Sequence, residues 1–474
     1  MKKMKHEKLF WAFLILVVST VCLLLLCFTI ENDYFWHIKA GEYMFQKKIL
    51  THDVFSWFVK GKYWMSHEWL FEIILYGLKR IFSIYHVYIY CFLCLLSLYL
   101  FLYLTKHQEF LKNIPYSLFL LLILSLSLTT YIQARPHMLD FLLFSITIYS
   151  LYDLVENRDS KKIYILPFIS ILWANIHGGS SNLPYLFCFL FYLGGHFSFQ
   201  CKKIESNRLD KKKLKKYILV MFLCMIGVCI NIHGVKMFFY PYENMLDQTM
   251  LHNITEWQNT SLSIPYHYLY YGILLFFLFT VLLSDKKIRF LDLLIFGFMT
   301  YLGLKSIRFW AFTPIASIYF IFYYVKERKP DRGTVPLLIG MSVLLCSIFA
   351  IGFMKNKEPL YQINIKKDLI TTLKKENPKK LFNMYDYGGE LIYHNIPVFI
   401  DGRADLYSPY NYKDYLTLSK LEKDPIKLIE KYQFDYFLVD STYPINIYLK
   451  YQKEYEVIYQ NKEKNILLYK KTVH

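Results

Sequence analysis

Two carboxylates and an imidazole follow directly after a long apolar run near the start of the chain. The segment reads IENDYFWHIKAGEYM and contains Glu31, Asp33 and His37 among aromatic residues. A carboxylate beside a membrane can take a proton from an incoming hydroxyl group while a lipid-linked phosphate leaves, and general-base help of this kind contributes about 10²–10⁴-fold in rate. The structural alternative is that Asp33 caps a helix or ends the apolar run at the water boundary.

Other ionisable residues stand at the ends of later apolar runs, where such groups are unfavourable and by default mark a functional site. A leaving phosphate needs cations, and the planar guanidinium of arginine fits phosphate oxygens well. The candidate binding residues are His37, His67, Glu68, Arg135, His137, His177, His233, Glu256, Lys305 and Arg308.

Each of these candidates also has an ordinary structural interpretation. His37 is compatible with an interfacial anchor, and Glu68 with a partner for a helix dipole. Arg135 precedes a proline and can extend its charge to the interface. His177, which precedes two glycines, and His233 in the similar sequence NIHG are equally compatible with helix caps.

The composition indicates an integral membrane protein. Of 474 residues, 55% are hydrophobic and 19% aromatic, and a soluble domain of this composition would expose too much apolar surface. The net charge of +18 comes from basic residues that flank apolar segments. They form no basic stripe on a soluble helix, which excludes nucleic acid as a partner. Eight of the nine cysteines lie within apolar runs, so no disulfide framework is expected.

Eleven apolar runs are long enough to be read as membrane spans, given a hydrocarbon core of about 30 Å. They lie near residues 9–30, 84–105, 115–131, 137–155, 163–177, 182–200, 217–233, 266–284, 288–305, 309–325 and 335–354. The first is expected to be retained, since it is longer than a signal-peptide core and lacks a small-x-small cleavage site. Residues 69–82 carry three charges at helical spacing and are predicted to form an amphipathic helix in the interface.

Lysine and arginine mark one side of these spans. They concentrate in the connections 106–114, 156–162, 201–216, 285–287 and 326–334, which are predicted to face the cytoplasm. The protein is therefore expected to be multi-pass in the cell (cytoplasmic) membrane, with a cytoplasmic amino terminus. All the candidate residues then fall on the outer side, and we expect one water-accessible hollow to gather them.

Residues 355–474 differ from the rest because they are polar and rich in lysine. A helix is predicted at 365–377 and strands at 396–407 and 434–441, which indicates a small extracytoplasmic α/β domain. Residues 1–354 would then form the transmembrane catalytic domain, with 31–83 as its first outer loop. Asp401 and Arg403 in DGRADLY are expected either to pair with each other and hold a turn or to bind an acceptor.

A set of motifs in chain order carries a family resemblance. The E-x-D element, DYFWHIKAGEYM, SHEWLFEI, ARPH, WANIHGG, ITEWQ and FIDGRADLY together resemble bacterial membrane proteins of the GT-C glycosyltransferase superfamily. The resemblance implies an α-helical polytopic membrane protein with a catalytic acidic motif in the first outer loop. It further implies a polyprenyl-phosphate sugar donor and an extracytoplasmic C-terminal domain.

By matched position, the resemblance implies that Asp33 is the general base, with Glu31 beside it. A single inverting displacement by a hexosyl- or pentosyltransferase would release polyprenyl phosphate toward Arg135, Arg308 or Lys305. The acceptor would be a cell-envelope glycan, lipid or protein. His67 and Glu68 would bind sugar or acceptor or hold an optional divalent ion, and the family implies no obligatory cofactor.

Other functions fit parts of the same pattern. A transporter or flippase of lipid-linked glycans would place polar residues near the bilayer midplane, whereas here they cluster at one side. A non-catalytic envelope assembly protein would use 355–474 as a binding module and keep its function without the outer carboxylates. A polymerase or ligase of surface glycan would differ mainly in the size of the donor.

Overall fold

A computed structural model describes residues 2–157, 160–328, 333–355, 365–422 and 424–472. The α-helices are α1 (Lys2–Leu24), α2 (Asp33–Gln46), α3 (Trp69–Phe82), α4 (His86–Lys112), α5 (Ile114–Leu128), α6 (His137–Glu156), α7 (Leu166–Ile176), α8 (Leu183–His196), α9 (Lys211–Val228), α10 (Lys236–Leu246), α11 (Gln248–Asn253), α12 (Tyr268–Leu283), α13 (Phe290–Lys305), α14 (Phe312–Ile321), α15 (Thr334–Lys355), α16 (Lys367–Glu376), α17 (Gly388–Tyr393), α18 (Ala404–Tyr407), α19 (Tyr412–Lys420), α20 (Ile426–Tyr432) and α21 (Pro444–Tyr451). The strands are β1 (Phe199–Cys201), β2 (Ile204–Ser206), β3 (Ile288–Arg289), β4 (Leu381–Asn383), β5 (Tyr436–Asp440), β6 (Tyr455–Asn461) and β7 (Ile466–Lys471).

The chain divides into two compact units. The helical unit comprises Met1–Thr29, Ile84–Leu246 and Leu251–Glu358, and the mixed unit comprises Ile30–Ser83, Asp247–Met250 and Pro359–His474. The first outer loop, which the sequence assigned to the transmembrane domain, therefore folds with C-terminal residues. The predicted boundary at 354/355 adjoins residues 356–364, which are outside the described part of the chain.

An α-helix overlaps each of the eleven predicted spans. By length and composition, six stretches of the described residues are able to cross a membrane. These stretches are Glu7–Cys27, Trp69–Lys112, Ile114–Tyr131, His137–Glu156, Pro265–Leu283 and Thr334–Ile351. The count of eleven crossings and their orientation stay predictions.

Local sequence explains where several helices of the helical unit begin. Proline occupies the first turn of α5, α7 and α8, where its missing N–H and fixed φ favour helix initiation. The Asn113 and Asp210 side chains accept hydrogen bonds from backbone N–H groups at the starts of α5 and α9. Each of these side chains satisfies a backbone donor that the helix itself leaves unpaired.

The mixed unit is built on a four-stranded sheet in the order β4-β5-β7-β6. Strands β4 and β5 are parallel, and the other two pairings are antiparallel. The first loop joins this core through Trp57, whose ring stacks on Phe399 at 5.7 Å between centroids. The Trp57 Nε1 also donates to the Leu381 carbonyl at 3.0 Å. Buried aromatic area and a paired indole N–H thus hold residues 30–83 to the tail.

The predictions for the tail are confirmed in two places and wrong in one. Helix α16 forms within 365–377, and strand β5 forms within 434–441. Residues 396–407 do not form a strand. Val398 makes an isolated bridge with Ser56, the Phe399 N–H donates to the Asn383 side chain, and the chain then enters the short helix α18. The apolar run is buried, but its partners are the first outer loop and the Asn383 side chain rather than the backbone of a neighbouring strand.

Candidate functional site

Asp33 is the first residue of α2, and Asn32 occupies the N-cap position before it. A carboxylate in the first turn of a helix is stabilised by the positive end of the helix dipole. Trp36 Nε1 donates to Asp33 Oδ1 at 3.0 Å, which orients a side chain that remains half-buried. Asp33 is thus a carboxylate held in a defined orientation, as a general base requires.

Asp401, Gly402 and Arg403 form a turn of the tail, here called the DGR turn, which packs directly on this carboxylate. A Cβ atom built on Gly402 would lie 1.7 Å from Asp33 Oδ1 and 2.9 Å from Trp36 Nε1. Glycine is therefore required at this position for lack of space. Two motifs quoted from distant parts of the sequence meet at one point of the mixed unit.

Arg403 holds the DGR turn in place. Its guanidinium contacts Asp53 Oδ1 at 2.7 Å and Asp401 Oδ2 at 2.6 Å, and Tyr407 Oη donates to Asp401 as well. Burial opposes the charge, but Asp401 and Asp53 outweigh it and raise the pKa of Arg403 well above its usual value. Because Arg403 is 2% exposed, its geometry favours the structural interpretation over acceptor binding.

A second cluster of the mixed unit joins His37 to two glutamates. The His37 Nδ1 atom lies 3.1 Å from Glu72 Oε1, and its Nε2 atom lies 3.4 Å from Glu68 Oε2. All three side chains are buried. Gly41 lets α2 and α3 approach closely here, since a Cβ on Gly41 would lie 2.1 Å from the Glu72 carbonyl oxygen.

His67 extends this cluster toward the tail. Its Nε2 atom lies 3.3 Å from Glu68 Oε1, and its Nδ1 atom lies 3.8 Å from Asp405 Oδ2. Burial acts to lower the pKa of His67, but the carboxylates of Glu68 and Asp405 outweigh it and raise the pKa above its usual value.

In the helical unit, Arg308 belongs to a chain of polar contacts. The Arg308 guanidinium donates to His177 Nε2, so the ring proton of the neutral imidazole lies on Nδ1. That Nδ1–H donates to Asp140 Oδ2 at 2.5 Å. Asp140 also accepts from Trp173 Nε1 at 2.7 Å. The buried Asp140 thus fixes the imidazole tautomer, and the imidazole positions the guanidinium.

Arg135 and Glu256 lie close to the same group of residues. Arg135 Nη2 is 3.9 Å from Glu256 Oε1, and the Arg308 guanidinium lies 5.4 Å from the ring centre of Trp257. Partial burial acts to raise the pKa of Glu256, but Arg135 and Arg308 outweigh it, so this pKa lies below its usual value. Two guanidinium groups and the Glu256 carboxylate therefore form a charged cluster.

The remaining sequence candidates occupy separate positions. His137 Nε2 donates to the Tyr131 carbonyl at 2.8 Å. The backbone N–H of His233 donates to Asn231 Oδ1 in a turn. Glu31 precedes α2 and is half-buried, whereas Lys305 ends α13 and is exposed. The single hollow that the sequence predicted for the polar groups of both units stays a prediction.

Sequence reasoning missed Glu72, Asp53 and Asp140. Glu72 was assigned to the polar face of an interfacial helix, although its i,i+4 spacing from Glu68 places both on one helix face. Asp140 is a lone carboxylate in an apolar run, and this alone marks it as a functional candidate. Asp53 gave no comparable signal, because its partner Arg403 is distant in sequence.

Solved structures of an archaeal enzyme resemble this chain. The oligosaccharyltransferase of Archaeoglobus fulgidus, tethered to an acceptor peptide containing the NVT sequon, gives a TM-score of 0.54 at 12% identity over 91% of this chain and 69% of its own. Its apo form gives a TM-score of 0.56 at 10% identity, over 91% of this chain and 70% of its own. The archaeal oligosaccharyltransferase AglB from the same organism, solved in complex with an inhibitory peptide and a dolichol-phosphate, gives a TM-score of 0.54 at 10% identity. That match covers 91% of this chain and 69% of AglB.

No protein-family model and no curated protein matches the sequence. At these low identities the structural likeness establishes the fold. The chain shares the fold of this archaeal oligosaccharyltransferase. This is the fold that the motif resemblance implied.

Proposed function

We propose that this protein is an integral-membrane glycosyltransferase that moves a sugar from a polyprenyl-phosphate donor to an acceptor of the cell envelope. The acceptor is a glycan, a lipid or a protein on the outer face of the membrane. The reaction is a single inverting displacement, in which the acceptor oxygen forms a bond to the sugar C1 as the bond from C1 to the phosphate oxygen breaks. The acceptor proton passes to Asp33.

The observation that carries this proposal is the fold shared with AglB, which has been solved with a dolichol-phosphate. A lipid phosphate as leaving group demands two things of a protein, a base for the acceptor and cations for the phosphate. In this proposal Asp33 in the mixed unit supplies the base, and Arg135 and Arg308 in the helical unit supply the cations.

The proposal is tested with the full chain in detergent and a panel of polyprenyl-phosphate hexoses and pentoses. We expect at least one donor to release polyprenyl phosphate when an envelope extract supplies the acceptor. A chain that instead moves intact lipid-linked sugars across a vesicle membrane and cleaves none of them would be a flippase, and the proposal would be wrong.

Gly402→Ala is predicted to damage activity without contacting substrate. The new methyl group would displace the Asp33 carboxylate, and misplacing a reacting group by about 1 Å can reduce the rate by about 10²-fold. The measurement is kcat for sugar transfer with the best donor of the panel. Gly77→Ala is the matched control, because nothing lies within 4 Å of a Cβ at Gly77. An equal loss of kcat in Gly402→Ala and Gly77→Ala would contradict the assignment of Asp33 as the reacting carboxylate.

Asp140→Asn is predicted to raise the KM for the donor. The substitution removes the charge that holds the Nδ1–H tautomer of His177, and Arg308 then loses its acceptor at Nε2. A hydrogen bond to a charged group contributes about 1.5–3 kcal/mol, so we expect a roughly ten- to hundredfold rise in KM. Asp292→Asn removes another buried carboxylate of the helical unit and is expected to leave KM unchanged. An unchanged KM in Asp140→Asn would exclude this positioning role.

A further inference from the structure

We infer that His37, Glu68 and Glu72 form a binding site for one divalent transition-metal ion. One ligand atom from each side chain lies within 4.8 Å of the others, and the three residues are buried. The site lies wholly within the mixed unit and does not depend on the proposed sugar transfer.

The charge balance of the surrounding residues argues for a cation. Four carboxylates are buried in this part of the mixed unit, on Asp53, Glu68, Glu72 and Asp401. Among the described residues of the mixed unit, Arg403 is the buried basic side chain, and it is engaged by Asp53 and Asp401. The other two, Glu68 and Glu72, contact the imidazoles of His37 and His67. Isolated buried carboxylates are strongly unfavourable, and pairing or metal coordination is the usual way in which proteins hold them.

The local framework is as rigid as a metal site requires. Glu68 is the N-cap residue of α3, and Glu72 lies one turn later on the same face. His37 projects from α2 between two aromatic rings, with Trp36 at 3.6 Å and Phe71 at 5.2 Å between ring centres. These rings limit the approach of water to the polar atoms. Positions fixed on two packed helices hold ligand geometry better than loop positions.

Outer contacts already surround the three ligands. Ser66 Oγ donates to Glu72 Oε2 at 3.4 Å, and His67 contacts the Glu68 oxygen that faces away from His37. His37 can bind the ion through one ring nitrogen, and the N–H of its other ring nitrogen can then donate to a carboxylate oxygen that is not itself a ligand. Hydrogen bonds of this kind to ligating carboxylates and imidazoles are typical of functional metal sites.

The donor set indicates the class of ion. Two carboxylates and one imidazole give oxygen and nitrogen ligands without sulfur. Carboxylates suit Mn²⁺ and imidazole suits Zn²⁺, whereas a purely oxygen-binding ion such as Ca²⁺ would not use the imidazole. Mn²⁺ and Zn²⁺ are therefore the appropriate probes.

The test uses the full chain in detergent, treated with EDTA and then titrated with Mn²⁺. Electron paramagnetic resonance measures free Mn²⁺, and elemental mass spectrometry measures the metal bound to the chain. Zn²⁺ is then added to test whether it displaces the bound Mn²⁺. We expect one ion per chain and at least roughly tenfold weaker binding in Glu72→Gln, which corresponds to about 1.4 kcal/mol. Glu42→Gln is the matched control, because Glu42 also lies on an outer-loop helix but pairs with Lys39.

A second measurement covers the event that Glu72→Gln does not fold. An ion that binds only the folded chain raises its thermal midpoint, and the rise grows with the ratio of free ion concentration to Kd. Mn²⁺ should then raise the midpoint of the wild type and of Glu42→Gln, and Glu68→Gln should reduce that shift. Failure of the wild type to bind Mn²⁺ or Zn²⁺, or equal binding by wild type and Glu72→Gln, would overturn the inference. The cluster would then be an imidazole held between two carboxylates by protons alone.

Discussion

Asp33→Asn is expected to reduce kcat for sugar transfer by about 10²–10⁴-fold, the range that general-base help contributes. The amide keeps the volume and can still accept the hydrogen bond from Trp36 Nε1, so the local structure should persist. What is lost is the ability to take a proton from the acceptor hydroxyl. Initial rates of polyprenyl-phosphate release measure this effect directly, with the thermal midpoint as a check on folding.

Glu31→Gln is the matched control for this prediction. Glu31 lies two residues before Asp33, outside α2. We expect its removal to leave most of the activity, because one carboxylate suffices for one proton. If Asp33→Asn keeps full activity while Glu31→Gln abolishes it, Glu31 is the base. Full activity in both variants would remove general-base catalysis by this motif altogether.

Arg403→Met is expected to destabilise the mixed unit by about 3–5 kcal/mol, the range for breaking a buried ion pair by removing one partner. The substitution leaves Asp53 and Asp401 buried and without their guanidinium. It also removes the cation from the face of Trp64, where the distance to the ring centre is 4.7 Å. Chemical denaturation followed by tryptophan fluorescence measures the change in the free energy of unfolding.

A triple variant separates loss of the ion pair from loss of packing. Replacing Asp53 and Asp401 by asparagine together with Arg403→Met removes all three charges, and neutral replacements of buried ion pairs are often tolerated. We expect the triple variant to be more stable than Arg403→Met alone. If the single variant is as stable as the wild type, the DGR turn does not hold the site in the manner described.

The helical part of the fold could be predicted from the sequence because its signal is local. Apolar runs of sufficient length specify helices whatever they pack against, and a helix was found at each predicted span. Strand β5 was predictable for a similar reason, since a buried strand reads as a short apolar run bounded by polar residues. Residues 396–407 carry the same signal, but Asn383 and Ser56 supply their partners, and no local pattern encodes those.

The candidate site was predictable in its residue types and less so in its arrangement. The sequence singled out His37, His177 and Arg308 as polar residues beside apolar runs, and each lies in a polar cluster, although their role in binding stays a prediction. Their partners Glu72 and Asp140 were missed, because contacts between helices depend on packing distances that the sequence does not express. The close approach at Gly41 is such a distance.

The most direct test compares lipid-linked sugars and surface polymers in cells that contain or lack this chain. The account predicts that cells without it accumulate a polyprenyl-phosphate sugar and lose that sugar from an envelope acceptor. The wild-type gene should restore both, whereas the gene carrying Asp33→Asn should restore neither, although its protein is present in the membrane. Restoration by Asp33→Asn, or identical lipid-linked and surface sugars in the two cell types, would contradict the account.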